Sequence, residues 1–253
     1  IFSLLAVYFF LKGVEKGIKM FLWLLLSAFC IVLAFFFYFS PGLFPLAVIG
    51  CYWITYRNVS IGWMALTSFV LTVMVMSFFL LITLIPAALE SLKFYVNERL
   101  LFRVENEAVV SNRFSILIRL GMEILPSVGI LLMSILLAKL MKLKKVEFKV
   151  LKPALFFLLV GFTASLPLML TPVQRGFYLQ PAWPFFGLAI AALTLPTAYA
   201  LFEKWKEKKF WRPFSASFSS LVLLAGIGFT IANVGNVRRD QDQLEDTYLI
   251  GEQ

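Results

Sequence analysis

Two short stretches of an otherwise apolar chain carry the residues best suited to chemistry. The first is residues 171–184, TPVQRGFYLQPAWP. It holds one cation, Arg175, together with Tyr178 and Trp183, inside a frame of Pro172, Gly176, Pro181 and Pro184. A guanidinium offers a planar fork of donors that matches a phosphate. Tyr178, three residues on, shares a side with Arg175 in a helical turn. An arginine beside aromatic rings at the end of a span can also be a plain interface anchor. An anchor does not need three prolines and a glycine, which fix one particular backbone shape. That argument favours a phosphate contact.

The second stretch runs from about residue 86 to 121. Lys93, Arg99, Arg103, Arg113 and Arg119 alternate there with Glu90, Glu98, Glu105, Glu107 and, just beyond, Glu123. Apolar residues recur at helical spacing, as in Leu92, Tyr95, Val96 and Leu100, and again in Phe114, Leu117 and Ile118. The pattern predicts two amphipathic surface helices, near 88–103 and 112–121, with a turn near Asn106 to Asn112. Two readings of this loop stand side by side. It is a lipid-resting segment laced with ion pairs, or a mobile lid whose Arg113 and Arg119 bind a phosphate.

Other chemistries find no support. The chain has no histidine, which removes His-based metal sites and His acid–base catalysis. The loops assigned below as cytoplasmic are short and carry no Gly-rich phosphate loop, no carboxylate cluster and no metal-ligand spacing, which argues against ATP hydrolysis. No catalytic residue and no cofactor is assigned, and the spacing decides neither for nor against a divalent metal ion. Cys30 and Cys51 fall in apolar runs and read as packing residues rather than a disulfide framework. Asn58-Val-Ser60 matches a glycosylation acceptor, but it falls on the side assigned below as cytoplasmic.

The elements that position these residues are membrane spans. Of 253 residues, 61% are hydrophobic and 15% charged, with 28 Phe. Globular domains are roughly 45–50% apolar and about 25% charged. The charges cluster between long uncharged runs, among them Phe21 to Tyr56 and Asn58 to Leu89. A spanning helix needs about 20 apolar residues, and lipid leaves backbone groups no partner outside a helix. Ser40-Pro41-Gly42 is a turn signal that splits the first long run. The expected fold is all-α, a polytopic transmembrane bundle of eight segments. They fall near 1–11 (incomplete), 21–39, 43–56, 61–84, 122–139, 153–171, 184–201 and 215–234. Residues 1–237 form the membrane domain, and 238–253 begin an external C-terminal segment. The chain is expected to continue beyond both ends.

The charges orient the stack. With sides assigned alternately, one face collects the loops near 12–20, 57, 139–152 and 203–212. That face holds 15 of the 23 basic residues and only Glu15, Glu147, Glu203 and Glu207 among the acids. Basic loops stay cytoplasmic. The net charge of +9 is thus a matter of topology and anionic-lipid contact rather than nucleic-acid binding. Single cysteines, in a background lacking Cys30 and Cys51, test the map. Positions 113, 175 and 246 should react with an impermeant thiol reagent outside intact cells, and positions 144 and 206 should not. Labelling of position 144 from outside would overturn the assignment.

The stretch QRGFYLQPAWPFFGLAIAAL resembles the basic–aromatic R-x-x-Y-x-x-P-x-x-P segment of C-type membrane glycosyltransferases. These include the protein O-mannosyltransferase and aminoarabinose transferase group. Residues 94–126 look like the large external loop of bacterial members, and NVRRDQDQLEDTYLIGEQ looks like the exit into their external C-terminal domain. The resemblance implies an enzyme of the bacterial inner membrane. It would move a sugar from a polyprenyl-phosphate donor to a lipid, glycan or protein acceptor at the external face. Only Arg175 and Tyr178 carry over, as contacts to the donor's phosphate and lipid neck. Where many relatives have a basic residue before this arginine, the chain has Gln174. The family's catalytic carboxylate is expected in an earlier external loop; Glu90, Glu98, Glu105 and Glu123 do not match its motif.

The alternative is a transporter or flippase of a lipid-linked sugar. Coupled transport calls for ionisable groups inside the membrane. The expected spans hold none in their interiors, and no inverted repeat is visible. A non-catalytic scaffold would not need the proline-framed Arg175/Tyr178 segment.

Overall fold

In a computed structural model, the described residues are 1–15, 19–38, 40–94, 97, 112–140, 148–170, 174, 176–206 and 211–232. They form nine α-helices and no strand, so the fold is all-α. The helices are α1 (Phe2–Glu15), α2 (Met20–Tyr38), α3 (Val48–Tyr56), α4 (Ile61–Thr83) and α5 (Pro86–Phe94). They continue with α6 (Ser115–Leu140), α7 (Phe148–Ser165), α8 (Trp183–Lys206) and α9 (Trp211–Ala232). Short 3-10 turns occupy Ser40–Ala47, Leu166–Leu170 and Gly176–Leu179. The chain divides into two compact units, Ile1–Ala198 and Tyr199–Gln253.

Five helical stretches are long and apolar enough to cross a bilayer: Met20–Phe37, Ile61–Thr83, Ser115–Leu140, Val150–Met169 and Trp183–Ala200. Shorter apolar helices cover Phe2–Val14, Gly42–Tyr56 and Ser219–Ala232. Their outer faces are apolar too. Leu66, Phe69 and Leu80 on α4, and Ile130, Leu132 and Leu136 on α6, are exposed. Water would not tolerate that surface, whereas hydrocarbon does. The protein is a membrane protein.

In the first unit, large side chains interlock. Phe10, Ile31, Ile49, Leu71, Phe156, Val160 and Phe185 are fully buried. Phe44 meets Phe185 edge-on, with ring centroids 5.5 Å apart, and Phe10 meets Tyr52 in the same way at 5.8 Å, an arrangement that the ring quadrupoles favour. Between membrane helices the hydrophobic drive is weak, so close packing and polar contacts decide association. Ser27 supplies one such contact, donating its hydroxyl proton to the Ala6 carbonyl at 2.8 Å and so joining α2 to α1.

The structure corrects several expected boundaries. The segment expected at 43–56 is α-helical only from Val48. Ahead of it Ser40–Ala47 winds as a 3-10 turn containing Pro45, whose missing N–H removes an α-helical bond. The turn passes close to α2: a Cβ on Gly42 would lie 2.3 Å from the Ala34 carbonyl oxygen. After α3 the chain reverses at Arg57, which takes a left-handed φ of 49°. Ser60 then caps α4, its hydroxyl oxygen accepting from the Trp63 N–H at 3.2 Å.

A larger correction concerns residues 112–139. The expected surface helix at 112–121 and the span at 122–139 are one continuous helix, the 26-residue α6, with Pro126 inside it. Pro126 forfeits one backbone bond, and in lipid the rest of the backbone has no alternative to the helix. At 1.5 Å per residue such a helix is about 39 Å long, against a hydrocarbon core of about 30 Å. The helix is therefore longer than the hydrocarbon core it would cross untilted. Of the surface helix expected at 88–103, Pro86–Phe94 is helical, and 95–96 and 98–103 lie outside the described residues. Two expected spans also start sooner: α7 at Phe148, carrying Pro153 inside it, and α9 at Trp211. The segment 238–253 lies outside the described residues.

Candidate functional site

At one end of the bundle, the segment leading into α8 is fastened to the first turns of α6. Leu179, Pro181, Ala182 and Phe185 bury themselves and pull the segment inward. The Ala182 N–H donates to the Leu179 carbonyl at 2.9 Å and the Phe185 N–H to the Ala182 carbonyl at 3.0 Å. Those turns lead into α8 at Trp183, with Pro184 in its first turn, where a missing N–H costs nothing.

Gln174 makes the principal tie. It is buried, and its carboxamide oxygen accepts from the Ser115 hydroxyl at 2.7 Å and from the Ile116 N–H at 3.0 Å. Its amide nitrogen donates to the Arg113 carbonyl at 2.8 Å. The Ile116 N–H is one of the orphan donors at a helix start. The carboxamide from 58 residues away satisfies it. Asn112 shapes the entry to α6 locally, its side-chain oxygen accepting from the Phe114 N–H at 2.9 Å.

One turn further along α6 lies a second tie. Arg119 Nε donates to Glu123 Oε1 at 2.8 Å, and Trp183 Nε1 donates to Glu123 Oε2 at the same distance. The Arg119 guanidinium lies against Gly176, where a Cβ would come within 2.0 Å of it. Glycine is what allows that approach. Arg119 and Glu123 are spaced i, i+4, the pairing that the ion-laced reading of the loop expects. Arg119 stays largely exposed, so the pair is a positional device more than a source of stability. Beside it a cleft of about 330 Å³ runs between α6 and α8, lined by Glu123, Ile124, Ser127, Trp183, Phe186 and Ile190.

The two stretches picked out from sequence thus come together. Arg113 is exposed, forms no ion pair with a described residue, and adjoins the segment through its carbonyl. Arg119 reaches the segment through Gly176. Tyr178 is half-buried and packs against the core. Arg175 lies outside the described residues. Gln174 and Trp183 make the ties between the two stretches, and residue-type reasoning did not pick them out as site residues. The available signal was a carboxamide, unable to anchor at an interface, set between two apolar spans. Among the described residues no group of three His, Cys, Asp or Glu comes together as metal ligands would. No known family, no curated protein and no solved structure matches the chain.

Proposed function

We propose that this chain belongs to a glycosyltransferase of the bacterial inner membrane that takes a sugar from a polyprenyl-phosphate donor and passes it to an acceptor at the external face. The observation that carries the reading is the tying of the 174–184 segment to the start of α6. It gathers Arg113 and Arg119 beside the stretch that holds Arg175 and Tyr178. In this reading Arg175 holds the donor phosphate, Arg113 and Arg119 neutralise it from the α6 side, and Tyr178 borders the lipid neck. Headgroup depth suits such a donor, because its phosphate stays wet while its chain enters hydrocarbon. None of the carboxylates here is assigned as catalytic. The alternative, a transporter or flippase, calls for ionisable groups deep in the membrane; among the described residues the charges of the spans, such as Arg119, Glu123 and Lys139 of α6, lie toward the helix ends.

Reconstitution of the full-length protein in liposomes tests the proposal. Supplied with a polyprenyl-phosphate sugar labelled in the sugar and with inner-membrane extract as acceptor source, it should move label onto a product distinct from the donor. Label that only crosses the bilayer, still joined to its carrier, would favour the flippase instead.

A further inference from the structure

We infer that Gln174 is a positioning residue for the proposed donor site: it holds Arg113 in register with the turn that carries Tyr178. This rests on the reading of that site as a phosphate-binding one. The carboxamide bonds both the Arg113 backbone and the Ile116 N–H in the first turn of α6. It sits two residues before the Gly176–Leu179 turn and is directly bonded to Arg175 along the chain. It spans 58 to 61 residues of sequence with three hydrogen bonds of 2.7–3.0 Å. A buried carboxamide so engaged has one place to sit, since leaving its partners unsatisfied is costly.

The two ends of the carboxamide do separable jobs. Its oxygen closes the start of α6 by accepting from Ser115 and Ile116. Its nitrogen alone reaches the Arg113 carbonyl. Gln174→Glu therefore separates the two. A carboxylate keeps both acceptor bonds and suits a helix N-terminus, but it sets an acceptor against the Arg113 carbonyl. A residue that merely caps α6 would be replaced by Glu without consequence. A residue that positions Arg113 would not.

Two measurements on the full-length protein in nanodiscs test this. The first is the distance distribution between spin labels at positions 114 and 180, both exposed, by pulsed electron paramagnetic resonance. The second is the KM for a polyprenyl-phosphate sugar, measured apart from kcat. For Gln174→Glu we expect a broadened distribution and a KM raised roughly ten-fold, the weight of about one hydrogen bond, with kcat near wild type. Gln174→Leu should raise KM further and also lower stability. A Gln174→Glu protein with wild-type distances, or with wild-type KM in an enzyme that needs Arg175, overturns the inference. Broadened distances with unchanged KM in an enzyme indifferent to Arg175→Ala would instead remove the donor reading, and the inference with it.

Discussion

Gly42→Ala should lower the apparent melting temperature of the detergent-solubilised protein sharply, and Gly42→Val should leave little folded material. The turn after α2 runs back over that helix so closely that a Cβ at position 42 meets three backbone atoms. They are the Ala34 oxygen at 2.3 Å, the Ala34 carbon at 2.5 Å and the Phe35 nitrogen at 2.6 Å. Backbone inside a packed helix cannot swing aside as a side-chain tip can. Inserting a methyl group into a packed site costs typically about 1–3 kcal/mol, and a backbone obstacle puts Gly42 at the upper end. In a chain of this length that corresponds to roughly 6–12 °C. Gly129→Ala is the matched control. Apart from its own helix backbone, no atom lies within 4 Å of a Cβ there, and replacing a mid-helix glycine by alanine favours the helix. Fluorescence-detected size exclusion after graded heating reads both. Equal effects from the two variants would mean that the turn does not approach α2 as described.

The membrane spans were legible because hydrocarbon imposes a simple rule. Uncharged runs of sufficient length must be helices, and the eight segments read from sequence coincide with described apolar helical stretches, five of them long enough to cross a bilayer. The rule does not fix where regular α-geometry begins. Pro45 shifts the third segment from α to 3-10 for eight residues, a matter of one missing N–H that hydropathy does not register. Nor does it say where a surface helix ends and a span starts. Arg113, Arg119 and Glu123 made residues 112–121 look like a separate amphipathic helix, yet nothing at Gly121 breaks the ladder. Charge at the head of a span marks membrane depth, not a helix boundary.

The site was half legible. Arg113, Arg119 and Tyr178 stood out because their chemistry is specific and their neighbourhood is short. What joins the two stretches did not stand out. The bonds from Gln174 to Arg113, Ser115 and Ile116 and from Trp183 to Glu123 link positions 58 to 61 apart in sequence. A local reading carries no information on such pairs. Gln174, uncharged, offered no local sign of its role. A lysine at that position could supply neither of the acceptor bonds that close α6.

The other large effect is expected at Arg175. It follows Gln174, which is bonded to α6, and in the proposed reading it meets the donor at headgroup depth, where the dielectric is lower than in bulk water. A charge-assisted bond to phosphate there contributes roughly 1.5–3 kcal/mol, on the order of 10- to 150-fold in binding. Arg175→Lys keeps the charge and loses the planar fork, so it should retain part of the activity. Arg175→Ala should lose most of it while remaining monodisperse in the membrane fraction.

The most direct measurement is the dependence of sugar transfer on donor concentration, wild type against Arg175→Ala, in the same reconstituted full-length protein. Phosphate binding by Arg175 predicts a saturation curve displaced to at least about ten-fold higher donor concentration, with Arg175→Lys in between. Superimposable curves for wild type and Arg175→Ala would make the arginine an interface anchor and contradict the assignment of the donor site to residues 174–184.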